Sequence, residues 1–215
     1  MYTEGAITIK YPQVVGLTNA VLQEAINKRI SDAALRDLPI LRDDTTLAEY
    51  DITGKIAYNS PDLISVYFEG YSNYRQAAHP NTFLYTVTID VKNQKTVSLP
   101  ELVKISGDFV NALIAGTYSS MNYDMTSDIS SSIREYLRGM GTDYWLSELK
   151  NADTAGYAAA SYLTKDALAV SVSVPHALGD HIEILLPYRE LAAFKTDSPI
   201  WDYLLPETLP PGRDQ

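Results

Sequence analysis

The amino-acid sequence predicts an α+β protein: an antiparallel sheet with helices packed on it, in two intimately joined halves. Three observations carry this expectation. Between residues 50 and 102, apolar and polar side chains alternate in successive runs joined by short polar turns. Short connections demand antiparallel neighbours, because a parallel return needs a crossover of a dozen residues or more. Between residues 108 and 149 the apolar repeat lengthens to three and four residues, the period of helices, and after Tyr157 the alternation returns.

Taken in order, Ala6 to Tyr11 reads as a strand closed by Pro12. Thr18 or Asn19 can cap a helix whose Leu22, Ile26 and Ile30 recur at four-residue spacing, giving one apolar stripe that covers a sheet. The charged segment from Asp37 to Asp44, with Pro39 inside it, reads as a connector. Tyr50, Ile52, Gly54, Ile56 and Tyr58 then share one strand face, and Asn59-Ser60-Pro61-Asp62 makes a tight reversal. The next strand buries Ile64, Val66, Phe68 and Gly70 and shows Tyr67, Glu69 and Tyr71 on its other face; a third carries Phe83, Tyr85, Val87, Ile89 and Val91. Asp108 can cap a helix bearing Phe109, Val110, Leu113 and Ile114, and a second helix with Ile129, Ile133, Leu137 and Met140 stops at Gly139 and Gly141. Thr142 can cap a third, with Trp145 and Leu149. Strands follow at Tyr157 to Leu163, Leu168 to Val174 and Ile182 to Leu186, then a short helix from Pro187 through Phe194. The halves are expected at 1–78 and 79–196, with a Pro-rich tail at 197–215 that drapes over the surface or frays.

Composition excludes several activities. With 215 residues the chain can bury a core without staples, and the absence of cysteine removes disulfides, thiolate catalysis and cysteine-bound metals together. A formal charge of -10 repels a polyanion over most of the surface, so no nucleic-acid partner is expected. No apolar run reaches the roughly 20 residues of a membrane span, and MYTEGAITIK lacks the pattern of a signal peptide. Tyrosine is the outlier, 16 against 4 phenylalanines, which points to half-wet aromatic surfaces of the kind that suit sugars or proteins.

Two constellations carry possible chemistry. His79, between Ala78 and Pro80 and close to Tyr71, Tyr74, Arg75 and Asn81, reads as a ligand contact or an acid–base group, or else as a residue that sets its loop. No second catalytic group is placed by spacing. His176, Asp180 and His181 have metal-ligand chemistry, but their spacing matches no zinc signature, so turn and strand-end hydrogen bonds are the expectation. Neither a Gly-x-Ser-x-Gly elbow nor a phosphate loop occurs. No catalytic residue, metal ligand or cofactor is therefore assigned.

The order of YPQ, AINKRI, LISVYFEGY, AHPN, IDVKNQKTVSLPEL and VSVPHALGDHIEILLPYREL resembles a bacterial envelope domain family. That family includes the extracellular part of the RsiV anti-sigma factor and the non-catalytic N-terminal region of the PdaC peptidoglycan deacetylase, classed as domain of unknown function type 3298 with an N-terminal half of type 4163. Ala78, His79, Asp90, Lys95, Leu99, Pro175, Ala177, Gly179, Pro187 and Leu191 match its pattern. Gln76-Ala77 replace its glycines before Ala-His, Asn93-Gln94 replace the Thr-Gly of its hairpin turn, and His176 takes an aromatic position. Asn93 is expected to adopt the left-handed turn conformation in place of that glycine.

The resemblance implies a non-enzymatic binding or sensing module outside the cytoplasm, secreted or tethered through a segment upstream of Met1. It also implies recognition of cell-wall glycan or of a protein such as lysozyme. The candidate ligand-binding surface is Tyr67, Tyr71, Tyr74, Arg75, His79 and Asn81. The alternatives are a cell-wall hydrolase or deacetylase with a metal at His176, Asp180 and His181, and a structural accessory domain.

Overall fold

The computed structural model describes residues 1–120 and 123–204. Its first sheet holds β1 (Tyr2–Glu4), β2 (Ile7–Lys10), β3 (Leu47–Asn59), β4 (Leu63–Tyr74), β5 (Asn81–Asp90) and β6 (Lys95–Val97) in sequential order. All neighbours are antiparallel except β2 and β3, which run parallel. Between those two lie α1 (Ala20–Ala34) and α2 (Leu38–Leu41), a connection long enough to reverse the chain. The helices α3 (Leu99–Leu102) and α4 (Gly107–Ala115), strand β7 (Thr117–Ser119), then α5 (Ser127–Met140) and α6 (Thr142–Lys150) follow. Strands β8 (Ala159–Leu163), β9 (Ala167–Ser173) and β10 (His181–Pro187) join β7 in a second, wholly antiparallel sheet of order β7-β10-β9-β8, and α7 (Ile200–Leu204) closes the described chain. The α+β class holds, with its strands divided between a mixed sheet and an antiparallel one.

Local chemistry accounts for the boundaries. Asn19 caps α1 by accepting the Leu22 N–H at 3.1 Å, and Ile26, Ile30 and Ala34 line its buried face. The expected connector at 37–44 contains a helical turn instead, since Pro39 fits a first turn and Leu38 and Leu41 find burial. Ser106, not Asp108, caps α4, its hydroxyl accepting the Phe109 N–H at 3.2 Å. Gly141, at φ +83°, ends α5, so Thr142 is the first residue of α6 and not its cap. Left-handed backbone falls at Gln94 (φ +53°) and not at Asn93, whose N–H and amide are both held by the Asp90 carboxylate. Within the expected tail, Ile200 and Trp201 are buried in α7 and the Trp201 indole donates to the Leu102 carbonyl at 2.9 Å; residues 205–215 lie outside the described residues.

Two cores result. Helix α1 packs on one face of the first sheet around Ile52, Phe68, Tyr85 and Ile89. The helices from α3 to α6 pack on the second sheet around Phe109, Trp145, Val170 and Ile184. Tyr85 belongs to the first core while Leu63 and Val97 of the same sheet belong to the second, so the first sheet contributes to both cores, and residues 78 and 79 fall in its β4–β5 hairpin. A bulge in β3 between Ile56 and Tyr58 breaks the expected shared face: Ile56 is exposed and Tyr58 packs on the second core.

Candidate functional site

Strand period separates the expected surface residues. On β4, Tyr67 and Tyr71 lie on the parity that faces the second sheet, while Tyr74 packs against the first core. The Tyr67 ring sits 5.1 Å from that of Tyr162 on β8, half-buried between the sheets, and burial pushes both hydroxyl pKa values up. Arg75 is exposed but lines a separate depression with Glu4, Arg42 and Asp44. A single patch of all six residues therefore does not form; parity along β4 was the signal that could have shown it.

The structure instead joins two segments that the sequence keeps 97 residues apart, as the tip of the β4–β5 hairpin meets the 176–180 turn. The imidazoles of His79 and His176 stack with centroids 3.5 Å apart and planes within 8°. His176 Nδ1 lies 2.9 Å from Asp180 Oδ1, and Asp180 Oδ2 accepts the Thr82 N–H at 2.9 Å. Left-handed backbone at Gly179 (φ +98°) and Asp180 (φ +68°) turns this carboxylate back toward the hairpin. Asn81 is exposed beside it, and Gln76 takes φ +69°, a conformation that glycine would adopt at lower cost.

Burial pushes the Asp180 pKa up, but the Thr82 N–H and His176 pull harder, so the net value lies below the ordinary 3.8. Asp180 thus adds stability above the ordinary carboxylate range and loses it as pH falls through its own lower value. Asp180→Asn is expected to cost about 1 kcal/mol at neutral pH. In urea melts the gap from wild type should close well below pH 3.8; a gap independent of pH rejects this account.

From this mouth a groove runs along the outer edge of β5. One cavity of about 140 Å³ is lined by Thr82, Leu84, Tyr157, Asp180 and His181, among others. A second, of about 460 Å³, lies between Arg29 of α1, with Arg36 just beyond its end, and the segment 152–155. Arg36, Asp153 and Thr154 line both, so the two adjoin there. Asp153 is their junction: its Oδ1 accepts from Thr86 Oγ1 at 3.1 Å and from the Ser161 N–H, and its Oδ2 from the Leu99 N–H and Ser161 Oγ, each at 2.8 Å. One carboxylate so ties β5, α3 and β8 together. Its place in the segment 151–156, between a helix and a strand, gave no warning of this role.

His181 does not join His176 and Asp180. It turns inward, with Nδ1 2.8 Å from Glu183 Oε1, and both residues are buried. Glu183 Oε2 is buried with no hydrogen-bond partner among the described residues. No group of three His, Cys, Asp or Glu side chains there has the geometry to hold a metal ion, so the suggested His176, Asp180 and His181 set does not assemble. Nor is any described helix long and apolar enough to cross a membrane.

Neither a family profile nor a curated protein sequence matches the chain. Solved structures do. A DUF3298 family protein from Pseudomonas aeruginosa PAO1 aligns over 77% of this chain and 71% of its own, at 14% identity and a TM-score of 0.45. A DUF3298 family member from Bacteroides fragilis NCTC 9343 aligns over 90% of this chain and 85% of its own, at 15% identity and a TM-score of 0.55. The chain is therefore a structural match to the DUF3298 family over most of its length, and the Bacteroides fragilis protein shares its fold.

Proposed function

We propose that this protein is a non-enzymatic binding or sensing module of the bacterial cell envelope, working outside the cytoplasm and recognising cell-wall glycan or a protein such as lysozyme. The observation that carries this reading is the stacked pair His79–His176, where loops from the two sheets meet at the mouth of the groove. Both imidazoles are exposed, and Tyr71 and Asn81 flank the same hairpin tip. Such a surface offers flat faces for a sugar ring or an aromatic side chain together with hydrogen-bond partners for its rim. The formal charge of -10 favours encounter with a basic protein, so an association rate with lysozyme should fall as salt is added.

The test is calorimetric titration with hen lysozyme and, separately, with soluble peptidoglycan fragments. The double variant His79→Ala, His176→Ala, with Tyr71→Ala beside it, is expected to weaken binding roughly tenfold or more while leaving the melting temperature within a few degrees. Unchanged affinity in both variants would remove the site, and release of new reducing ends or acetate from the glycan would replace the reading with an enzymatic one.

A further inference from the structure

Backbone direction along β5 leaves the outward N–H and C=O of two residues without a backbone partner among the described residues. Val91 N–H points toward the β4 side, donating to Asp62 O, whereas Thr82 N–H points away from it, to Asp180. Antiparallel strands alternate in this respect, so every even-numbered residue of β5 directs its N–H and C=O outward. At Thr88 and Asp90 that side faces β6, and at Thr82 the Asp180 carboxylate accepts the N–H. Between them, Leu84 and Thr86 present two N–H and two C=O groups to the groove with no backbone partner among the described residues. Unpaired edge groups of this kind are a template for another strand.

We propose that this edge is a docking site for an extended, carboxylate-bearing peptide segment of a partner protein, taken up by strand addition to β5. The flanking walls select the occupant. With α1 on one side and the segment 152–160 on the other, a folded sheet edge from a second copy meets the walls first, whereas a single strand fits between them. Between Thr82 and Thr88, both already bonded outward, the open stretch 83–87 is on the order of 15 Å long at the usual rise per residue.

Charge selects the side chains. Among acids lining the groove, Asp32 is paired with Lys28, Glu101 with Lys95, Asp180 accepts from the Thr82 N–H and lies against His176, and Asp153 is held by four donors. Arg29 donates to the Gln94 carbonyl and has no carboxylate within ion-pair distance among the described residues. The Arg36 guanidinium lies over the Tyr85 ring at 3.7 Å and forms a long ion pair with Asp37 at 3.6 Å, which an incoming carboxylate would share. Two guanidiniums beside a run of free backbone groups match a peptide with acidic side chains. This inference rests on the groove being a binding site, as proposed above, but uses other contacts than the histidine pair.

The test uses the full chain and a phage-displayed library of linear nonapeptides, with selected sequences resynthesised for fluorescence polarisation. Peptides rich in Asp and Glu are expected. Methylating alternate backbone nitrogens should weaken them at least tenfold, as should Arg36→Glu and Leu84→Pro. Proline at 84 removes only an outward N–H, which an edge strand tolerates. Leu84 and Thr86 amides should exchange quickly in the free protein and slowly with peptide, a readout that serves even where the proline variant fails to fold. Failure to enrich any peptide, or selected peptides indifferent to N-methylation or to Arg36→Glu, overturns the proposal. Protection of the two amides by peptidoglycan fragments, or by raised protein concentration alone, also overturns it, in favour of a glycan or a second copy. Absence of peptide binding by the wild-type chain, with its lysozyme or glycan binding present, rejects the edge without touching the histidine site.

Discussion

Gly70→Val is expected to destabilise the protein by about 3 kcal/mol, lowering the melting temperature by roughly 6–12 °C. Gly70 pairs with Phe83 across β4 and β5, and the Phe83 ring lies flat over it. A Cβ built at Gly70 would stand 2.0, 2.3 and 2.5 Å from three ring carbons. The ring has nowhere easy to go, because it packs against Tyr50 at 5.4 Å and Tyr85 at 6.1 Å. Swinging it out breaks these aromatic contacts at the margin of the first core, where the half-buried Phe83 covers Tyr50 and Tyr85. A double-mutant cycle checks the cause: Gly70→Ala should cost at least ~1 kcal/mol less when Phe83 is already Ala. Gly70→Ala within about 0.5 kcal/mol of wild type would show that the ring yields freely.

Asp153→Ala should cost roughly 3–4 kcal/mol, because it strands the Leu99 and Ser161 N–H groups between the sheets and places alanine at φ +70°. Asp153→Asn is expected to cost clearly less, since asparagine tolerates that backbone and still accepts through one oxygen. Burial pushes the Asp153 carboxyl pKa up against the pull of Ser161, Leu99 and Thr86. A raised folded value means that the charge begins to cost the folded state as pH rises from 3.8 through that value. The uncharged Asn variant should therefore narrow its gap from wild type as the solution goes from acid to neutral. Urea unfolding of the three proteins across that range reads both effects, and equal losses for Ala and Asn would show that the carboxylate is not the junction.

Much of the fold was legible because it depends on local period. Alternation located β3, β4, β5, β9 and β10, and four-residue spacing located α1, α4 and α5. Short or tertiary-dependent pieces were not: β1 and β7 have three residues each, and α7 forms from a Pro-rich segment because Trp201 finds burial and the Leu102 carbonyl. His79, His176 and Asp180 each drew attention as residues, yet their meeting did not, since strand period says nothing about which turn of one sheet will touch which turn of another. His181 shows the same limit from the other side, adjacent to Asp180 in sequence but turned to Glu183 inside.

By itself the sequence determined the α+β class, the antiparallel hairpins and the apolar faces, because side-chain parity and helical spacing act within a few residues. Only the tertiary structure decided that there are two sheets, that their strands bring the His79 and His176 turns together, and that the β5 edge opens onto a groove. Those outcomes depend on how two cores pack across a shared polar junction at Asp153, and contacts over such distances leave no local repeat in the chain.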